Sequence, residues 1–116
     1  MLETTAPAPN RLLILEDDPG LGELIRRRLS PSGLSIDLAR SGADGLALLT
    51  GNDHALALLD YALPDMTCAE FVERARELGR LPAFIVMSSF GDERVAVDQM
   101  KSGARDFLLK DMGFLD

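Results

Sequence analysis

The sequence predicts an α/β fold, in which a doubly wound parallel sheet of five strands carries helices on both faces. Three short runs, 12–15, 55–59 and 83–87, are continuously apolar, as strands buried on both faces of a sheet are. Segments with helical periodicity alternate with these runs, and a glycine lies near the end of each such segment: Gly33, Gly51, Gly79 and Gly103. Such alternation is typical of right-handed βαβ units, which build parallel sheets.

The first part of the chain contains residues 1–10, which lack periodicity and include two prolines. They are expected to form a disordered leader to a single domain that spans residues 11–116. After the first strand, Asp18 is expected to cap a helix whose first turn holds Pro19. The helical spacing predicts that this helix buries four apolar residues: Leu21, Leu24, Ile25 and Leu29.

The middle of the chain continues the alternation. Residues 34–39 alternate apolar and polar side chains, which favours an edge strand with one face in water. Ser41 is expected to cap a second helix, which Gly51 ends. The third strand, 55–60, leads through a loop to Thr67, which has the spacing of a capping box. The helix that follows is predicted to bury three residues: Phe71, Ala75 and Leu78.

The last part of the chain holds two further strands. The fourth strand, 83–87, ends in two serines, and residues 92–102 have the weak amphipathicity of a helix. The fifth strand, 106–109, ends at Lys110. Only the short segment 111–116 follows, so a fifth helix is expected to be largely missing and one flank of the sheet uncovered. We therefore expect a C-terminally truncated fragment of a longer protein.

Composition restricts the class of function. The net charge is −7 and the isoelectric point about 4.6, whereas proteins that bind phosphate backbones need basic patches, so direct nucleic acid binding is not expected. No stretch is long and apolar enough for a transmembrane helix, and no signal-peptide pattern opens the chain. Cys68 is the single cysteine, so no internal disulfide can form. These observations favour a cytoplasmic protein without membrane contact.

One end of the predicted sheet collects chemically active side chains. The buried strands and the edge strand suit the strand order 2-1-3-4-5. In that order the carboxyl ends of four strands converge and carry Glu16, Asp17, Asp60, Ser88 and Lys110. Three close carboxylates repel one another unless a cation lies among them, and their hard oxygens suit Mg²⁺. A hydroxyl and an ammonium group can neutralise a phosphoryl group. The set therefore predicts phosphoryl transfer to a carboxylate.

Four short motifs carry a resemblance to a known family. At the ends of strands one, three, four and five the chain reads Leu-Ile-Leu-Glu-Asp-Asp-Pro, Leu-Leu-Asp-x-x-Leu-Pro-Asp-Met, Val-Met-Ser-Ser and Gly-Ala-Arg-Asp-Phe-Leu-Leu-Lys. Each motif alone is weak, but all four occur in the correct order. Over residues 11–110 the chain resembles the receiver domains of bacterial two-component response regulators. The resemblance implies a flavodoxin-like fold.

The resemblance implies a phosphorylation-dependent signalling module. Such a module is not an enzyme in the usual sense, although it catalyses its own phosphorylation and slow dephosphorylation. Asp60 would be the phosphoacceptor. Asp17 and Asp60 would ligate Mg²⁺ or Mn²⁺ together with the backbone carbonyl of Ala62, and Glu16 would assist through water. A histidine kinase or a histidine phosphotransfer protein would donate the phosphoryl group, and an unidentified output domain or protein would receive the signal.

The resemblance also gives roles to the far side of the site. Ser88 and Lys110 would bind phosphoryl oxygens, and Phe107 would be an aromatic switch whose ring turns inward as Ser88 moves. A plain core residue explains Phe107 about as well. Three positions depart from the family pattern, since Asp111 stands where proline is usual, Cys68 where glycine is usual and Thr67 where Asp or Asn is common. The effect of Asp111 on the loop that carries Lys110 is left open.

Other functions are less well supported by the sequence. A pseudo-receiver would keep the fold and signal through protein contacts alone, and the complete acidic and lysine set argues against it. A phosphohydrolase with an aspartyl nucleophile would need a general acid two residues after Asp60, where this chain has Ala62. A flavodoxin-like cofactor module is disfavoured because the acidic triplet after the first strand would repel phosphate. His54 and Cys68 supply no zinc set.

Overall fold

Five parallel strands form one sheet in the part of the chain that the structure describes. The computed structural model describes residues 10–88, 98 and 100–110. Its strands are β1 (Arg11–Leu15), β2 (Ser35–Ala39), β3 (Leu56–Asp60), β4 (Ala83–Ser88) and β5 (Asp106–Leu109). Their order in the sheet is β2-β1-β3-β4-β5, with every neighbouring pair parallel. The predicted doubly wound order, with β2 at an edge, is therefore confirmed.

Helices connect the strands as the alternation predicts. They are α1 (Pro19–Leu29), a short 3-10 helix (Ser30–Ser32), α2 (Gly42–Gly51) and α3 (Cys68–Glu77). Most of the helix predicted over 92–102 lies outside the described residues, but Asp98, Met100 and Lys101 are helical. The predicted leader, apart from Asn10, and the segment 111–116 also lie outside them. None of the helices in the described part of the chain combines the length and apolar character needed to cross a membrane.

The helix ends confirm most of the predicted caps. Asp18 accepts hydrogen bonds from the backbone N–H groups of the first turn of α1, and Thr67 forms the full capping box of α3. Gly79, just after α3, has a φ of +69°, a value that glycine adopts without strain. The prediction that α2 ends at Gly51 is confirmed, since Gly51 is its last helical residue. The next residue, Asn52, is the C-cap, and its side-chain amide donates to the Leu48 carbonyl at 3.1 Å.

The core has one layer on each face of the sheet. The larger layer lies under α2 and α3 and includes Leu13, Leu15, Leu49, Leu59, Phe71, Phe84 and Val86. The smaller layer lies under α1 and consists of Leu12, Ile14, Ile25, Leu58 and Met87. Because β1, β3 and β4 contribute side chains to both layers, their sequences are continuously apolar.

Two apolar residues expected in the core are in fact exposed. Leu78 is 52 % exposed because it is the C-cap of α3, where the helical periodicity that pointed it inward has ended. The buried face of α3 instead includes Val72, beside Phe71 and Ala75. Leu24 is 48 % exposed because it lies one residue, or about 100°, from the buried Ile25. The buried stripe of α1 runs through Ile25, with Leu21 and Leu29 half-buried beside it.

One flank of the sheet carries an open apolar groove. Its volume is about 330 Å³, and it is lined mainly by Leu12, Ile25, Leu29, Leu34, Leu56, Leu58 and Leu108. Within the described residues, the face beside α1 is thus incompletely covered.

An ionic cluster links β1, β2 and the loop before β3. It lies toward the amino ends of the strands, away from the end of β3 that carries Asp60. The Oδ2 atom of Asp37 lies 2.9 Å from Nη1 of Arg11 and 2.8 Å from Nε2 of His54, whose side chain is fully buried. Burial disfavours ionisation of Asp37, but the hydrogen bonds from His54 and Arg11 outweigh it and lower the pKa of this carboxyl. His54 thus has a structural role.

We expect Asp37→Asn to destabilise the fold by about 1 kcal/mol near neutral pH, a loss typical of a partly exposed ion pair. Since the folded-state pKa of Asp37 is lowered, its contribution is complete above the ordinary aspartate pKa of about 3.9 and is lost as the pH falls through the folded-state value. Urea unfolding of both proteins across this range measures the difference. Asp53→Asn, which breaks the exposed Arg80–Asp53 pair, is the control and should change stability little. A difference that persists unchanged in acid would contradict this assignment.

Candidate functional site

Three carboxylates meet at the carboxyl edge of the sheet. Glu16 and Asp17 directly follow β1, and Asp60 is the last residue of the adjacent strand β3. One ligand oxygen of each residue lies within 4.8 Å of those of the other two. Glu16 is 1 % and Asp60 4 % exposed, whereas Asp17 is exposed to solvent. The predicted acidic cluster is therefore present, with one solvent-facing member and two buried members.

Lys110 reaches this cluster from the end of β5. Its backbone N–H donates to the Ser88 carbonyl at 2.8 Å, which continues the pairing of β5 with β4. Its Nζ lies 2.7 Å from Oε1 of Glu16 and 3.1 Å from Oδ2 of Asp60. The ammonium group thus bridges the two buried carboxylates, as the convergence of the strand ends predicts.

The ionisation of Glu16 is strongly perturbed. Burial is the main reason that the pKa of Glu16 rises to about 7, and the neighbouring Asp60 carboxylate raises it further against the opposing effect of Lys110. Burial alone would lower the pKa of Lys110, but its bonds to Glu16 and Asp60 raise it overall. One ammonium group therefore offsets the cost of burying two carboxylates only in part.

Backbone N–H groups orient the two buried carboxylates. The N–H of Asp18 donates to Oε2 of Glu16 at 3.3 Å, and the N–H of Ala62 donates to Oδ1 of Asp60 at 3.2 Å. The N–H of Tyr61 donates to the Met87 carbonyl at 2.8 Å, which extends the β3–β4 pairing past Asp60. Backbone N–H groups of the loops after β1 and β3 thus hold the Glu16 and Asp60 side chains in place.

The donor set fits a hard divalent cation. In the part of the chain that the structure describes, Glu16, Asp17 and Asp60 form the one group of acidic, histidine or cysteine side chains close enough to share a metal ion. All three ligand atoms are carboxylate oxygens. Mg²⁺ and Mn²⁺ prefer such oxygens, whereas structural zinc sites do not depend on them. The exposed Asp17 leaves the cluster open to solvent, so that waters could complete the coordination.

The remaining predicted residues, Ser88 and Phe107, lie in β4 and β5 at different positions relative to the strand ends. Ser88 is the last residue of β4, is 2 % exposed, and lies one position beyond Met87, the register partner of Asp60. It therefore shares the edge that carries the carboxylates. Phe107 pairs with Val86 in the sheet and packs, half-buried, against the core under α2 and α3. Its role as a switch stays a prediction.

Two residues near the site were not predicted to matter. Cys68 is fully buried at the start of α3, and burial, together with the charge of Asp60, raises the pKa of its thiol to about 12. The thiol is therefore neutral and acts as a small core side chain. Asp65, in the loop after β3, bonds the backbone of α2. Its partners, Gly42 and Ala43, are 23 and 22 residues away in the chain, so no local pattern could have found it.

Comparison with known proteins agrees with this geometry. The family model for the response regulator receiver domain matches residues 12–115. The chain is 30 % identical over 106 residues to the transcriptional regulatory protein CusR of Escherichia coli (strain K12), which covers 91 % of this chain and 47 % of CusR. It is 33 % identical over 100 residues to the transcriptional regulatory protein DltR of Streptococcus agalactiae, which covers 86 % of this chain and 45 % of DltR. The chain thus spans about half the length of these curated relatives.

Solved structures agree as well. A crystal structure of a CheY-like response regulator receiver domain protein from Methanospirillum hungatei superimposes with a TM-score of 0.80 at 27 % sequence identity. The match covers 90 % of this chain and 83 % of that one.

Proposed function

This chain belongs to the response regulator receiver domain family, and we propose that Asp60 is its phosphoacceptor. Phosphorylation-dependent signalling is the general function of that family. The observation that carries the proposal is the buried Asp60 carboxylate, which lies 3.1 Å from Lys110 and within the acidic cluster of Glu16 and Asp17. A strand-end carboxylate with a purely structural role would not need a second buried carboxylate beside it.

The proposed reaction transfers a phosphoryl group to a carboxylate oxygen of Asp60. The donor is the phosphohistidine of a histidine kinase or a histidine phosphotransfer protein. As the oxygen of Asp60 attacks phosphorus, a P–O bond forms and the P–N bond breaks, and the imidazole leaves with the electron pair and takes up a proton from solvent. The hydrogen bond from Ala62 N–H and the ion pair with Lys110 hold the attacking carboxylate in one orientation.

The other residues neutralise charge. Lys110 can neutralise the negative charge that develops on the phosphoryl oxygens, because its Nζ lies beside the nucleophile. Mg²⁺, which receiver domains generally bind at an acidic pocket, would neutralise further phosphoryl oxygens when bound. We propose that Asp17, Asp60 and the carbonyl of Ala62 hold it, with Glu16 acting through water. The three carboxylates fit that ion by donor type and mutual distance.

The output of this reaction would be a change in packing. We propose that Ser88 contacts the phosphoryl group and that Phe107 turns inward in response, which would alter the surface next to β4 and β5. The histidine kinase or phosphotransfer donor, the output partner and the cytoplasmic location are parts of the same proposal. The domain would serve as a signalling module that catalyses only its own phosphorylation and slow dephosphorylation.

Intact-mass spectrometry after incubation with acetyl phosphate tests the proposal. We expect the wild type to gain one phosphoryl group when Mg²⁺ is present and none in EDTA. Asp17→Asn should slow phosphorylation by about tenfold or more. Loss of a residue that only supports a metal ligand already has an effect of that size, and Asp17 is proposed to be a ligand itself. Asp44→Asn, which removes an exposed carboxylate from the first turn of α2, is the matched control and should behave as the wild type. A phosphoryl gain that does not depend on Mg²⁺, or no phosphoryl gain at all, would contradict the proposed chemistry and favour a pseudo-receiver.

A further inference from the structure

The loop after β3 is tied to the start of α2 by a carboxylate. The Oδ1 atom of Asp65 accepts from the N–H of Gly42 at 2.8 Å, and its Oδ2 atom accepts from the N–H of Ala43 at 2.9 Å. These bonds lower the pKa of Asp65, which therefore remains ionised over a wide range of pH. A bidentate carboxylate at a helix N-terminus is a favourable, directional contact.

The cap of α2 comes from two parts of the chain. Its N-cap residue, Ser41, accepts through Oγ from the N–H of Asp44 at 3.1 Å, and the Ser41 carbonyl accepts from the N–H of Gly45 at 3.0 Å. The other two N–H groups of this first turn, those of Gly42 and Ala43, donate to Asp65. The helix can thus be weakened through Ser41 without touching the loop that carries Asp65.

An apolar contact accompanies the polar one. A Cβ atom on Gly42 would lie 2.5 Å from Sδ of Met66, so the side chain of Met66 occupies the space that the glycine leaves free. Met66 is half-buried and packs against the core under α2 and α3. Two consecutive loop residues, Asp65 and Met66, therefore dock on the same turn of α2.

The docked loop is also the loop that shapes the site. An isolated antiparallel bridge joins Ala62 to Thr67 across its base, and Ala62 N–H bonds Oδ1 of Asp60 at 3.2 Å. About one turn into α2, Gly45 packs closely against Leu15, the residue before Glu16. The contacts of Asp65 therefore connect the Asp60 loop with the strand that carries Glu16.

We propose that Asp65 is a positioning residue for the site: by tying the loop to α2 it holds the Ala62 backbone and the Asp60 carboxylate in the arrangement that binds Mg²⁺ and accepts the phosphoryl group. This inference rests on the proposed function of Asp60. Asp65 lies in the loop and its two partners are backbone N–H groups of α2, so its effect on the reaction passes through Ala62 and Asp60.

The test compares Asp65→Ala and Asp65→Asn with Ser41→Ala, which weakens the cap of the same helix but leaves the loop anchored. One readout needs no metal: amide hydrogen exchange at Gly42 and Ala43 should accelerate in Asp65→Ala. Mg²⁺ affinity can be followed through the fluorescence of Tyr61, since the chain has one tyrosine and no tryptophan and this tyrosine adjoins Asp60. The rate of phosphorylation by acetyl phosphate is the third readout.

We expect Asp65→Ala to weaken Mg²⁺ binding and to slow phosphorylation by about tenfold each, as loss of a supporting residue does at other metal sites. Asp65→Asn, which keeps one acceptor oxygen, should fall between Asp65→Ala and the wild type. Ser41→Ala should match the wild type in Mg²⁺ affinity even where it lowers the melting temperature. Equal effects of Ser41→Ala and Asp65→Ala, or wild-type affinity in Asp65→Ala, would overturn the positioning role alone. A wild type that neither binds Mg²⁺ nor gains a phosphoryl group would overturn the proposed function and this inference with it.

Discussion

Asp60→Asn is expected to abolish the Mg²⁺-dependent gain of a phosphoryl group completely. The amide oxygen that replaces the carboxylate is a poor nucleophile, and the neutral side chain also removes one of the three anionic oxygens of the acidic cluster. Intact-mass spectrometry at several times after addition of acetyl phosphate measures the effect. A variant that still gains one phosphoryl group at the wild-type rate would place the acceptor elsewhere.

The same variant should fold as well as the wild type. Asp60→Asn weakens one ion pair with Lys110, but it also removes the repulsion between two buried carboxylates. Lys110 keeps its ion pair with Glu16 in this variant, so no buried charge is left unpaired, and we expect a free energy of unfolding within about 1 kcal/mol of the wild type or above it. Urea unfolding measures this. The match in stability would exclude unfolding as the reason for lost phosphorylation.

Phe71→Ala is expected to produce the largest loss of stability, about 3–5 kcal/mol. Phe71 is fully buried in α3, and its ring closes the space between α2 and the sheet: a Cβ on Gly45 would lie 3.0 Å from its Cε1 atom. Truncation would leave a cavity that the close approach of Gly45 cannot fill. Since small domains are stable by only about 5–15 kcal/mol, such a loss would leave little reserve.

Leu78→Ala is the matched control for Phe71→Ala. Leu78 lies at the C-cap of the same helix and is 52 % exposed. We expect a change within about 0.5 kcal/mol, the usual range for exposed positions. Urea unfolding of the two variants compares them directly. Similar losses at both positions would mean that α3 packs differently from the arrangement described above.

Most of the fold was predictable because the signals that set it are local. Continuous apolar runs identified the three inner strands, and alternation in Ser35–Ala39 identified the edge strand. Asp18, Ser41 and Thr67 cap their helices as their residue types and spacing predict. The acidic cluster was equally predictable, since topology alone brings the carboxyl ends of neighbouring parallel strands together.

The errors came from places where periodicity ends or where tertiary contacts override it. Leu78 follows the helical spacing of α3, yet it lies where the chain leaves the helix. The contacts of Asp37 with His54, and of Asp65 with α2, join residues 17 or more positions apart, so only the folded chain reveals them.

The most direct test of the central claim is to locate the phosphoryl group chemically. Borohydride reduces an aspartyl phosphate to homoserine, and peptide mapping by mass spectrometry then identifies the reduced position. After phosphorylation of the wild type with acetyl phosphate and Mg²⁺, we expect homoserine in place of Asp60 and unchanged aspartate at positions 17 and 18. Homoserine at another aspartate, or none in a protein that has gained a phosphoryl group, would contradict the assignment of Asp60 as the phosphoacceptor.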